Sequence, residues 1–214
     1  TDNAEVYSLI GIEYLFMEDF ENAKINFISC LKYDESDYSA LYNIVYCFEI
    51  LEQNENAIEY LNNYLDNNPY CEVAWHQLGK QYLFYKRYKK AISAFDFAII
   101  SDEYFIGAYI EKGRVLEKLN NYKEAIENYK LIIALKDESC YPILRIGVCY
   151  EKLGDFKKAI ENFNDCIEVD PQMNKAWYLL SNTYYKNQDY HNALLNINKA
   201  IDINAEKEEY WKLY

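Results

Sequence analysis

Apolar residues return along this chain with two nested periods. In Trp75-His76-Gln77-Leu78-Gly79-Lys80-Gln81-Tyr82, the residues Trp75, Leu78, Gly79 and Tyr82 stand at i, i+3, i+4 and i+7. Beyond the polar Lys86-Arg87, Ala91, Ile92, Phe95, Ala98 and Ile99 stand at i, i+1, i+4, i+7 and i+8. Each spacing lays one apolar stripe on one face of a helix, so the stretch predicts two short helices meeting at Lys86-Arg87. The longer period is 34 residues. Ala23, Ala57, Ala91, Ala125, Ala159 and Ala193 mark it without an insertion. Gly11, Gly79, Gly113 and Gly147 hold a second register, with Val45 and Ser181 in its two remaining slots. A glycine inside a helix costs roughly 1 kcal/mol against alanine, so its return implies a packing requirement. The simplest is close helix approach, with the small residue of the first helix facing the in-register alanine of the second.

The pattern Trp-x2-Leu-Gly-x2-Tyr, then Ala-x3-Phe, then Pro at period 34, resembles the tetratricopeptide repeat. Units open at Ala4, Tyr38, Glu72, Ile106, Cys140 and Asn174 and span 4–37, 38–71, 72–105, 106–139, 140–173 and 174–207. The resemblance implies an all-α fold, a right-handed superhelical solenoid of antiparallel helix pairs, read as a single array over 1–214. The sequence departs from the family pattern in places. The closing Pro stands only at Pro69 and Pro171, with Glu35, Glu103, Asp137 and Ala205 in its place elsewhere, which predicts looser turns there. The second repeat is the weakest, with Leu41, Val45, Leu61 and Tyr64 at the signature positions. At 208–214, Trp211 follows Trp177 by one period, as in the start of a further or capping helix. A terminal repeat presents a polar outer face, whereas Tyr210, Trp211, Leu213 and Tyr214 are aromatic or apolar. Either the natural chain continues, or this edge packs on another molecule or on a second copy. The lack of an initiator Met points the same way, to a processed or excised segment.

Composition narrows the class. The chain is 51% hydrophobic and 17% aromatic with 24 Tyr, which fits a packed helical protein rather than a disordered one. No apolar run approaches the ~18 residues of a spanning helix, and the first residues lack the basic and apolar regions of a leader. Cys30, Cys47, Cys71, Cys140, Cys149 and Cys166 include no C-x2-C pair. Cys30 and Cys166 occupy the slot of Ala98 and Ala200, and Cys47 and Cys149 share another, so they read as small buried hydrophobes. Free thiols agree with a reducing, cytoplasmic location. His76 and His191 lie in unrelated repeats and make no metal cluster. No metal or cofactor is expected.

Charge is uneven. The chain carries a formal −13, and residues 1–71 hold 14 acidic against 2 basic side chains. This end is either a solvated face that keeps the protein dispersed or a docking surface for a basic partner.

Phosphate-loop, serine-elbow, zincin and dinucleotide motifs are absent, so an enzyme is not expected. In the family this chain resembles, the first helix of each repeat lines a concave groove that holds an extended peptide or a partner helix. The corresponding stripe here is Ile12, Leu15 and Phe16; Tyr42, Tyr46 and Ile50; Val73, His76, Lys80, Leu83 and Phe84; Arg114 and Lys118; Leu144 and Lys152; then Lys175, Tyr178, Asn182 and Lys186. It begins apolar and aromatic and turns basic, with Glu117 and Glu151 beside the basic row as local helix pairs. This predicts a protein or peptide ligand with an apolar part toward the first three repeats and acidic groups toward the last three. The alternative is that these cations only balance neighbouring Glu.

The family's carboxylate clamp for acidic chaperone tails is not matched. Asn43 suits one slot, but Ser8, Ile12, Val73 and Gln77 stand where Lys, Asn, Lys and Arg are needed. An RNA-binding helical-repeat protein is the rival from another class, opposed by a pI of about 4.7 because phosphate binding needs local positive charge. A third reading is a regulatory or tethering segment of a larger multidomain protein.

Overall fold

The computed structural model describes residues 2–135 and 139–213, the side chains of Asp2 and Leu213 excepted. Among them are thirteen helices and no strand, an all-α helical repeat solenoid. No described helix is long and apolar enough to cross a membrane. The chain forms two compact units, Thr1–Ala108 and Tyr109–Tyr214.

In the first unit α1 (Asp2–Phe16) and α2 (Phe20–Tyr33), α3 (Tyr38–Ile50) and α4 (Asn54–Asn67), then α5 (Glu72–Phe84) and α6 (Tyr88–Ser101) follow one another as pairs. One apolar cluster runs from Ala4 to Leu78 through Phe27, Leu41, Ile44 and Leu61, all four fully buried. The helix α7 (Ile106–Lys118) begins before the unit boundary. The second unit continues with α8 (Tyr122–Ala134), α9 (Tyr141–Lys152), α10 (Phe156–Val169), α11 (Asn174–Lys186), α12 (Tyr190–Ile203) and α13 (Glu208–Leu213). Its clusters centre on Phe163, Cys166 and Leu180, and on Ile197, Ala200 and Tyr210.

The in-register alanines are fully or almost fully buried, but the glycines do not face them. A Cβ placed on Gly11, Gly79, Gly113 or Gly147 would lie 2.5–2.7 Å from the ring of Phe27, Phe95, Tyr129 or Phe163. That ring stands four residues after the alanine. Where the ring is replaced, so is the glycine: Val45 accompanies Leu61, and Ser181 accompanies Ile197. The sum of the two volumes, rather than smallness at one position, is what the repeat preserves.

Every turn inside a repeat has the same form. Glu18, Glu52, Lys86, Asn120, Gly154 and Gln188, one period apart, all have φ between 55° and 79°. Each ends a first helix with paired bonds, as Lys86 N–H to Leu83 O at 2.9 Å and Arg87 N–H to Tyr82 O at 2.8 Å, the six-to-one closure of a left-handed helix stop. Of the turns between repeats that lack Pro, those at Glu35 and Glu103 are no looser than those that have it. The bonds Asp37 N–H to Asp34 O, Cys71 N–H to Asn68 O, Phe105 N–H to Asp102 O and Met173 N–H to Asp170 O measure 3.1–3.2 Å with or without Pro. At Asp34, Asp102 and Asp170 the side chain accepts from the N–H two residues on, at 3.0, 2.9 and 3.0 Å, with or without Pro in the turn. Asp137 lies outside the described residues.

Candidate functional site

The first helices α1, α3 and α5 bring one stripe of side chains to the surface of the first unit. Phe16 is 81% and Phe84 65% exposed, and Tyr42, Tyr46, Ile50 and Lys80 are exposed beside them, with Ile12 half-buried. Large apolar side chains left in water over three successive helices are more than isolated exposed residues. His76 belongs to the stripe by spacing, but its ring is wedged inward, 5.2 Å from Phe105 edge-on and 5.8 Å from Phe95. Both ring nitrogens are buried without a hydrogen-bond partner. Burial, with the Lys80 charge second, pushes its pKa down from 6.5 to about 4. It is neutral and offers this face a ring edge rather than a donor.

The second unit carries the basic part. Arg114, Lys118, Lys152 and Lys186 are exposed, and Tyr178 and Asn182 half-buried. Arg114, Lys118, Arg145 and Lys152 line one cleft of about 280 Å³ with Glu117 and Tyr122. Glu117 does not balance its own helix. It receives Arg145 of α9 through one guanidinium edge, Nε at 2.9 Å to one carboxylate oxygen and Nη2 to the other, and the Tyr129 phenol at 2.7 Å. Its side chain is 10% exposed, and burial followed by the Glu117 charge holds the Tyr129 phenol well above its ordinary pKa.

Glu151, one period on, is likewise taken across repeats, by Thr183 Oγ1 at 2.9 Å and by Lys186. Glu49, in the same slot, accepts from Gln81 at 2.7 Å. The expected local helix pairs are therefore inter-repeat bonds, and Lys186 is engaged by one. Arg114 pairs with Glu111 at 2.8 Å. Lys118 and Lys152 make no ion pair among the described residues, so the cleft keeps an excess of positive charge. Arg145 is missed by the stripe because it lies one residue beyond it, between the slots of His76 and Leu78. It fills the slot that holds Leu9, Asn43, Gln77, Glu111 and Leu179 in the other repeats, the slot of Gln77 where the family's clamp needs an Arg.

At the C-terminal end, Tyr210 is turned inward. It is 1% exposed, stacked on Tyr178 with centroids 4.9 Å apart, and its hydroxyl meets Asn174 at 3.1 Å. Of the expected apolar edge, Trp211 is exposed, while the Leu213 side chain and Tyr214 lie outside the described residues. Trp211 Nε1 donates to Ala205 O at 2.9 Å, as Trp75 does to Pro69 O and Trp177 to Pro171 O, so α13 takes the register of a first helix. Among the described residues no three His, Cys, Asp or Glu are placed to hold a metal ion.

No curated protein matches the chain in sequence. Several solved structures share its fold. PilF of Pseudomonas aeruginosa is 17% identical with a TM-score of 0.71, covering 99% of this chain and 96% of that one. MamA of Desulfovibrio magneticus RS-1 is 20% identical with a TM-score of 0.69, over 81% and 98%. YrrB, described as a TPR protein with an unusual peptide-binding site, is 22% identical with a TM-score of 0.68, over 87% and 96%. Two family models described as tetratricopeptide repeat match 4–37, 38–71, 106–139 and 175–207, and 144–173. With most of its length so matched and its helices paired at one period, the chain belongs to the tetratricopeptide repeat family.

Proposed function

We propose that this protein is a non-catalytic scaffold that binds an extended peptide or a partner segment on the faces of its first helices. Apolar and aromatic side chains of the ligand engage Phe16, Tyr42, Tyr46, Ile50 and Phe84 in the first unit. Carboxylates engage Lys118 and Lys152 in the second. The observation that carries the reading is the basic cleft: in a chain of net charge −13, four cations and one carboxylate line it, and the carboxylate is already taken by Arg145. Charge-assisted hydrogen bonds to such cations are about twice as strong as neutral ones.

Selection of a displayed random-peptide library on the intact chain tests this. Enriched peptides should combine an aromatic or aliphatic segment with an acidic one, and Lys118→Glu with Lys152→Glu should weaken them at least tenfold. Tyr46→Ala should weaken them independently. Peptides without acidic enrichment, or an affinity indifferent to the charge reversal, would overturn the proposal. The same cleft supports the RNA reading, which instead requires a salt-dependent shift with RNA oligomers that acidic peptides do not reproduce.

A further inference from the structure

Met173 stands in a slot where two earlier repeats place a helix cap. The slot just before the first helix is filled three and four repeats earlier by Cys71 and Asp37, whose side chains accept from the Ala74 and Ala40 N–H groups and cap α5 and α3. At α11 the slot makes no side-chain cap bond, a sacrifice of about 1 kcal/mol. The thioether lies on two thiols instead: Cys140 Sγ donates to Met173 Sδ at 3.3 Å, and Cys166 Sγ does so at 3.6 Å. Three sulfurs thus converge from the N-cap of α9, the body of α10 and the N-cap of α11. The corresponding triplets are Ala4, Cys30 and Asp37; Tyr38, Tyr64 and Cys71; Glu72, Ala98 and Phe105; Ile106, Ile132 and Ser139; and Asn174, Ala200 and Lys207. Only the fifth repeat assembles sulfur alone.

We propose that Cys140, Cys166 and Met173 form a binding site for one soft monovalent metal ion, Cu(I), held by two thiolates and a thioether. Ligands of this softness select Cu(I) among the first-row metals. Metal–thiolate bonds of about 2.3 Å would set three trigonal sulfurs about 4 Å apart, so the two thiol-to-thioether separations of 3.3 and 3.6 Å need lengthen by only about half an ångström. On binding, the two S–H bonds break and their protons pass to solvent. Three metal–sulfur bonds form, and the ion stays Cu(I), so no electron is transferred. Zinc is disfavoured, since it takes a fourth nitrogen, sulfur or oxygen ligand and no third His, Cys, Asp or Glu is in place among the described residues. Met173 is half-buried where Cys140 and Cys166 are buried, which makes it the most solvent-accessible of the three.

The test is competition between the full 214-residue chain and a chromophoric Cu(I) chelator under reductant, repeated with Ag(I) as a probe that does not change oxidation state. One equivalent should bind, with a near-ultraviolet thiolate-to-metal band and an X-ray absorption shell of sulfur only. Cys166→Ala places the residue of Ala98 and Ala200 in its slot, and Met173→Asp restores the cap of Asp37, so both variants keep the fold. The first should abolish the band, and the second should weaken binding at least tenfold while raising the melting temperature. Cys149→Ala should leave binding unchanged. Failure of the wild-type chain to compete, a nitrogen or oxygen shell, or full binding by Cys166→Ala would overturn the site.

Discussion

Gly79 lies directly beneath the ring of Phe95, so close that a Cβ at Gly79 would stand 2.5 Å from Phe95 Cε1. The ring is fully buried and cannot swing aside. Gly79→Ala therefore meets overpacking of about 1–3 kcal/mol, set against roughly 1 kcal/mol of gained helix propensity, and should lower the melting temperature. The second repeat supplies the remedy, since it pairs Val45 with Leu61. In a Phe95→Leu background, Gly79→Ala should cost nothing or stabilise. An equal cost in both backgrounds, measured as a double-mutant cycle, would show that the glycine serves something other than this ring.

The left-handed turn residues give a second prediction. Left-handed backbone costs an ordinary L-residue about 1–2 kcal/mol, and Glu52 and Lys86 bear it at φ of 58° and 55°. Glycine there should stabilise by about 0.5–1 kcal/mol after its greater unfolded-state freedom is counted. Asn120→Gly should gain less, because asparagine tolerates this region. Gly154→Ala should lose about 1 kcal/mol for conformational reasons alone, as a Cβ there meets no atom within 4 Å. Denaturant midpoints of the four variants should rank in that order.

Those turns mark where the sequence stops being readable. The 34-residue period, the buried alanines and the helix pairs all follow from apolar spacing, because one stripe per helix must find a neighbour. Only Gly154 and Asn120 among the six left-handed residues carry a compositional signal. At Glu18, Glu52, Lys86 and Gln188 the backbone closure overrides local preference. Spacing also placed His76 on the exposed stripe, yet Phe105, 29 residues later, draws its ring inward. The Arg145–Glu117 bond joins residues 28 apart and is hidden from any search at the period itself. Long-range pairing between unlike slots is what a periodic reading leaves out.

That bond gives a third prediction. Removing Arg145 alone strands a largely buried carboxylate, so Arg145→Leu should cost about 3 kcal/mol. Removing the whole network should cost far less, because other repeats dispense with it. Leu9 and Leu179 occupy the slot of Arg145, Leu15 and Leu83 that of Glu117, and Phe27, Phe95 and Phe163 that of Tyr129. The triple variant Arg145→Leu, Glu117→Leu and Tyr129→Phe should recover to within about 1 kcal/mol of the parent chain. If the triple variant unfolds at the same midpoint as Arg145→Leu, the ion pair is not what the single substitution breaks.

His76 makes stability depend on pH in a defined window. Its folded-state pKa is depressed from 6.5 to about 4, so between those values the unfolded chain binds a proton that the native ring does not. Stability is therefore flat above pH 6.5 and is lost as pH falls toward 4, by up to about 3 kcal/mol from this one group. Carboxylates titrate near the lower edge of the window, so the measurement is a difference between the parent chain and His76→Phe, which keeps a ring against Phe95 and Phe105. The stability difference, followed by denaturant titration at half-unit steps from pH 7.5 to 4, should change in favour of His76→Phe only as pH drops below 6.5. A difference that stays constant across the window would mean that the imidazole is protonated as readily in the fold as in the unfolded chain, and that Phe95 and Phe105 do not exclude its charge.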